Sequence, residues 1–127
     1  MNPWKNRPFA QRLRFALRGF AHALGSERSL KVQLVLFAGV LGALLAVRPG
    51  PVWWALVLLS SAAVLSCELL NSALEQLADA LHPSASDAIG RVKDCAAAAV
   101  LVASLGAVAV AVTLALHLLG GLSGPSP

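Results

Sequence analysis

The sequence predicts an all-α integral membrane protein: one domain over 1–127, with three transmembrane helices behind an N-terminal amphipathic surface helix. Three observations predict it. Hydrophobic residues make up 57% of the 127 positions and charged residues only 13%, against about 25% charged in an ordinary soluble domain. The apolar residues fall in three long, nearly uncharged runs. Alanine and leucine dominate those runs, which favours helices over a membrane barrel.

The first thirty residues carry basic groups throughout and lack an apolar core, so they do not read as a cleavable signal. Phe9, Leu13, Ala16, Leu17, Phe20 and Leu24 share one stripe at about 100° per residue, with Arg7, Gln11, Arg14, Arg18 and His22 opposite. This spacing predicts a basic amphipathic helix over 8–24, lying in the membrane interface. Phe15 projects from the polar side. It reads either as an interfacial aromatic or as shelter for a ligand above the bilayer, and so as a candidate nucleotide contact.

The first apolar run, Val32 to Val47, is interrupted by Gln33 and ends at Arg48-Pro49-Gly50-Pro51. Two prolines and a glycine cannot continue a helix, so this is a turn. The run is short for a hydrocarbon core of about 30 Å, which needs about twenty residues. The first transmembrane helix is therefore extended into its polar end, over 29–47. The second, over 52–81, opens with sixteen uncharged residues, Val52 to Cys67, and continues into an acidic stretch. His82-Pro83-Ser84-Ala85-Ser86 breaks it, and Ser84, Ser86 or Asp87 can cap the next helix. The third runs over 87–119, and its segment from Cys95 onward holds no Asp, Glu, Lys or Arg. The Gly/Ser/Pro-rich tail, 120–127, is expected to fray.

Charge sets the expected orientation. Seven of the ten basic residues precede position 32, and Arg91 and Lys93 fall on the same side of the membrane. That side should be cytoplasmic, with the N-terminus inside, as for a multi-pass protein of a bacterial inner membrane. A basic segment beside apolar runs points to anionic lipid headgroups rather than nucleic acid. Cys67 and Cys95 also belong to the cytoplasmic half, so reduced thiols are expected.

All six acidic residues, Glu27, Glu68, Glu75, Asp79, Asp87 and Asp94, map to that same end. On a helix, Glu68, Asn71, Ser72, Glu75 and Asp79 fall within an arc of about 100°. A helix leaving the membrane with a solvated end would explain Asp79 and Glu75. It fits Glu68 poorly, because a carboxylate within the hydrocarbon is costly and usually faces protein or water. Glu27, before the first transmembrane helix, and Lys93-Asp94, at the start of the third, lie at a similar depth. Acids gathered there imply a divalent cation, protonation, or both. Hard oxygen donors without a histidine or thiolate cluster suit Mg²⁺ rather than zinc.

The stretch "ELLNSALEQLAD" resembles the signature of the prokaryotic diacylglycerol kinase family, small trimeric membrane lipid kinases with three transmembrane helices per subunit. "RGFAHALGSERSLKVQ", "HPSASDAIGRVKD" and the following "AAAAVL" are also similar. The resemblance implies phosphorylation of a lipid hydroxyl by ATP with Mg²⁺. It implies Glu68 as general base and Glu27 and Glu75 as metal-binding carboxylates. It implies Asn71, Lys93, Asp94 and Asp79 as nucleotide or phosphate contacts, and a homotrimer with shared sites. Ala78 and Gln33 depart from the family pattern, neither at a position given a role. Both diacylglycerol and undecaprenol remain open as acceptors, with "HP" and the alanine-rich run leaning slightly towards undecaprenol. No P-loop, GxGxxG or HRD/DFG pattern occurs, so an ordinary soluble kinase fold is excluded.

The rival reading is a small oligomeric cation channel or transporter subunit with an acidic ion site. It requires polar groups across the membrane depth, and the outer halves of the three runs are nearly devoid of them.

Overall fold

The structure, a computed structural model, describes residues 7–122 apart from 83 and 85, with side chains through Gly120 at the C-terminal end. Lys5, parts of the expected break after the second transmembrane helix and the end of the expected tail lie outside the described residues. Four helices follow in order: α1 Phe9–Ser26, α2 Arg28–Val47, α3 Pro51–Leu81 and α4 Asp87–Leu122. No strand occurs among the described residues. The protein is all-α, and α2, α3 and α4 are each long and apolar enough to cross a membrane.

The breaks between helices have local causes. Only Glu27 separates α1 from α2. Its backbone is extended (φ −96°, ψ 117°), while its N–H still donates to the Ala23 carbonyl at 2.8 Å. Just before it, the Ser26 hydroxyl bonds back to the carbonyls of His22 and Ala23 at 3.2 and 3.4 Å. Such side-chain bonds offer the backbone an alternative to continued helix. The result is that α1 runs to Ser26, past its expected limit of 24. At the other end of α2, Arg48 caps the helix in the left-handed region (φ 51°, ψ 54°), a position more often held by glycine. Pro51 then opens α3 at a first-turn position, where its missing N–H costs nothing. No proline interrupts α4 before Leu122, so the helix enters the segment expected to be tail.

Packing is dominated by α3 against α4. Helix α2 lies on α3, and α1 touches both α2 and α3. The buried apolar residues are few: Ala23, Leu30, Leu44, Val57, Ala78 and Ala96. Most large apolar side chains point outward instead, as expected where lipid tails rather than water surround the helices. In that setting helices associate through close packing of small residues, which Ala96 of α4 supplies facing α3. Hydroxyls in the spans bond to their own helix. Ser60 donates to the Val57 carbonyl and Thr113 to that of Val110, both at 3.1 Å.

Candidate active site

The polar stripe of α3 is graded from buried to exposed. Glu68 and Ser72 are only 5% and 2% exposed, Asn71 and Glu75 are half-buried, and Asp79 is open. The acid deepest in the apolar part of the sequence is thus the one most enclosed by protein.

Glu68 faces α2. Ser29 Oγ donates to its Oε1, and Gln33 Nε2 donates to its Oε2 at 3.1 Å. Ser29 and Gln33 lie four residues apart on α2, so they stand one above the other on a single face and bracket the carboxylate. Further along α3, Asn71 Nδ2 donates to Glu75 Oε1 at 3.0 Å, again an i, i+4 pair. At the open end, Lys93 of α4 pairs with Asp79. Glu27 is half-buried at the break between α1 and α2, with Ser26 Oγ 3.4 Å from its Oε1. Asp94 is exposed on α4.

Phe15 is also engaged. The Arg7 guanidinium lies 4.7 Å from its ring centre and that of Arg18 lies 5.9 Å away. These are cation–π distances. The ring therefore belongs to a basic patch formed by α1 and the residue just ahead of its cap.

The expected gathering of acids does not occur within one chain. Among the described residues, no group of three or more His, Cys, Asp or Glu is close enough to hold a metal ion. The physical reason lies in the partners. Glu68 is drawn to α2, Glu75 to Asn71 on its own helix, and Asp79 to α4. Asp79 also lies about 16 Å along α3 from Glu68, at 1.5 Å per residue. Lys93, expected to face phosphate, is occupied by Asp79.

Two residues with a place at this site carried no expected role, Ser29 and Gln33. Gln33 departs from the family pattern, yet it contacts the candidate base directly. The signal was present: a lone amide inside an apolar run, with a serine one turn earlier on the same face.

Among the described residues, two buried side-chain carbonyl oxygens lack a hydrogen-bond partner, Gln33 Oε1 and Asn71 Oδ1. Each belongs to an amide whose NH₂ group serves a glutamate. Asn71 also lines a groove of about 560 Å³ between α3 and α4, together with Arg91 and the free thiols Cys67 and Cys95. A second groove, of about 590 Å³, lies between α1 and α3 beside Phe20, His22, Ser72 and Gln76. Both fall in the size range of small-molecule sites. With the Asn71 NH₂ group facing it and the Asn71 carbonyl turned away, the Glu75 carboxylate is a hard-oxygen donor. It suits a cation held mainly by phosphate oxygens and water, as Mg²⁺ usually is, rather than an all-protein cage.

Residues 14–115 match the model of the prokaryotic diacylglycerol kinase family. The chain belongs to that family. A Synechocystis protein named diacylglycerol kinase is 31% identical over 111 residues, which cover 86% of this chain. The chain spans 63% of that relative's length. With three helices able to cross a membrane, this member of the prokaryotic diacylglycerol kinase family is a multi-pass membrane protein. The family match takes in every candidate residue from Phe15 to Asp94.

Proposed function

We propose that the protein is a lipid kinase that transfers the γ-phosphoryl group of ATP to the hydroxyl of a membrane lipid alcohol, diacylglycerol or undecaprenol. The observation that carries this reading is Glu68, a carboxylate 5% exposed inside an apolar helix and held on both oxygens. Such a group is expensive in a membrane and marks a functional site. A carboxylate has about four acceptor positions, so Glu68 can serve Ser29 and Gln33 and still receive a substrate hydroxyl.

In this reading Glu68 takes the hydroxyl proton. The alcohol oxygen forms a bond to the γ-phosphorus, the bond from that phosphorus to the bridging oxygen breaks, and ADP leaves with the electron pair. Glu27 and Glu75 would hold Mg²⁺, and Asn71 fixes the Glu75 carboxylate. When bound, the ion neutralises charge on the phosphates, which together with positioning is most of what phosphoryl transfer requires. Lys93, Asp79, Asp94 and Asn71 contact or organise the nucleotide, and Phe15 shelters it from above. Three copies form a homotrimer with shared sites in a bacterial inner membrane, the acidic end and N-terminus facing the cytoplasm, where ATP is available.

The test is phosphate transfer by the purified protein in lipid, with diacylglycerol and undecaprenol assayed side by side. Turnover should require Mg²⁺. Glu68→Gln should lower kcat by about 10²-fold or more, the scale of a lost general base, while nucleotide binding stays near wild type. Wild-type turnover by that variant, or no transfer to either alcohol, refutes the reading.

A further inference from the structure

The two partners of Glu68 share a chemical property that bears on how it works, given the lipid-kinase reading above. A general base alternates between carboxylate and carboxylic acid. The carboxylate only accepts hydrogen bonds, whereas the acid must also donate one. A lysine or arginine beside it could serve only the first state, and an aspartate or glutamate only the second. Ser29 and Gln33 can serve both, since a hydroxyl and a primary amide each carry a donor and an acceptor.

The geometry shows the cradle in its first state. Ser29 Oγ and Gln33 Nε2 donate to opposite oxygens of Glu68. Because a carboxylate faces the amide, its NH₂ group points inward and its carbonyl is turned away. That carbonyl oxygen, Gln33 Oε1, is buried and has no donor. A buried acceptor without a donor is unfavourable, so its persistence calls for a reason. The same side chain lines an apolar cavity of about 300 Å³ with Leu36, Phe37, Val64 and Leu65, where no polar side chain but Ser61 and Ser104 accompanies it.

We propose that Ser29 and Gln33 are positioning residues that hold Glu68 in both protonation states. When the hydroxyl proton arrives on Oε2, the Gln33 amide turns over and its carbonyl oxygen accepts the new O–H. When it arrives on Oε1, the Ser29 hydroxyl rotates and accepts it. Neither partner carries a charge, so neither locks the base in one state. The proton returns to water as the cycle closes, and the amide turns back. Gln33 thus keeps the carboxyl group in place while its proton comes and goes.

Kinetics and infrared spectroscopy of the full-length protein in lipid test this together. Gln33→Leu should lower kcat by about 10²-fold, the scale set by a slightly misplaced catalytic group, with KM for ATP and for lipid within about threefold of wild type. Gln33→Lys, which can only donate, should be at least as slow. Gln33→His, which can donate and accept, should recover most of the rate. The infrared arm needs no turnover. Recorded at acid pH, where the carboxyl is protonated, the carboxylic C=O band of Glu68, assigned by its loss in Glu68→Gln, should move to higher frequency in Gln33→Leu as its hydrogen bond is lost. Full kcat in Gln33→Leu, equal rates for Lys and His at position 33, or an unmoved band would overturn the cradle. A wild-type protein inactive on every lipid alcohol, but showing the band shift, would leave the cradle standing and remove the kinase reading.

Discussion

Lys93 on α4 pairs with Asp79 on α3, and the two helices it joins make the most extensive contact in the chain. The pair sits at the polar end, with its side chains 34% and 67% exposed. At that exposure an ion pair contributes only about 0–1 kcal/mol to stability. So weak a pair leaves the Lys93 ammonium able to exchange Asp79 for another anion. If Lys93 meets the nucleotide, phosphate competes with Asp79 for the same ammonium.

The first prediction follows from that competition. Lys93→Met should raise KM for ATP about tenfold or more, because a charge-assisted contact to phosphate is lost. Asp79→Asn should leave thermal stability nearly unchanged. A drop of many degrees in Tm for Asp79→Asn, with KM for ATP unaltered in Lys93→Met, would make the pair structural instead.

Asn71 and Glu75 support a second prediction. The Asn71 NH₂ group holds one oxygen of Glu75 at 3.0 Å, and its own carbonyl oxygen is buried without a donor. Partners that orient a metal ligand typically contribute 10–100-fold to metal affinity, and about tenfold is expected for one hydrogen bond. Asn71→Ala should therefore shift the Mg²⁺ concentration for half-maximal activity upward by about that factor. A Mg²⁺ titration at saturating ATP measures it. An unchanged midpoint with reduced kcat would separate Asn71 from the metal.

Much of the fold was legible because membrane helices declare themselves. The charge-free run from Val52 to Cys67 and the turn at Arg48-Pro49-Gly50-Pro51 leave little freedom for another assignment. The α3 stripe was legible for the same reason, since helical period alone puts Glu68, Asn71, Glu75 and Asp79 on one side. What the stripe faces was not legible. Whether Glu68 meets α2 or α4 depends on helix rotation, and outward apolar residues on every helix give no bias. Gln33 shows the difficulty: its solitary amide marked a polar site, but only the packing of α2 on α3 names its partner. The break at Glu27 falls inside the expected gap between 24 and 29, but its narrowing to a single residue was not legible, because neither proline nor glycine occupies it.

Arg48 carries a prediction about stability rather than catalysis. Its left-handed backbone (φ 51°) costs a side chain about 1–2 kcal/mol relative to glycine. Part of that gain is offset by the greater freedom of glycine in the unfolded chain. Arg48→Gly should accordingly stabilise the protein by about 0.5–1 kcal/mol without changing kcat, as read from thermal unfolding in detergent. Destabilisation by a similar amount would mean that the arginine side chain does more at the membrane surface than its backbone costs.

Asp94 distinguishes a self-contained site from a shared one. Lys93 turns towards α3 of its own chain, and the next side chain on a helix points about 100° away. Asp94 is exposed there, and no residue in the most apolar window of α4 is buried within the single chain. A neighbouring copy packed on this helix would receive Asp94 at its own α3 stripe. Take chains carrying Glu68→Gln and chains carrying Asp94→Asn, each inactive alone, and mix them in equal amounts before assembly. A shared site needs an intact Glu68 from one chain and an intact Asp94 from its neighbour. In randomly mixed rings each condition is met half the time, so about one quarter of wild-type activity should return. If every site drew both residues from one chain, no mixture could contain an intact site, and activity would stay at the level of the separate variants. The assay thus reads the origin of Asp94 directly, provided that each variant assembles to the same size as wild type on gel filtration.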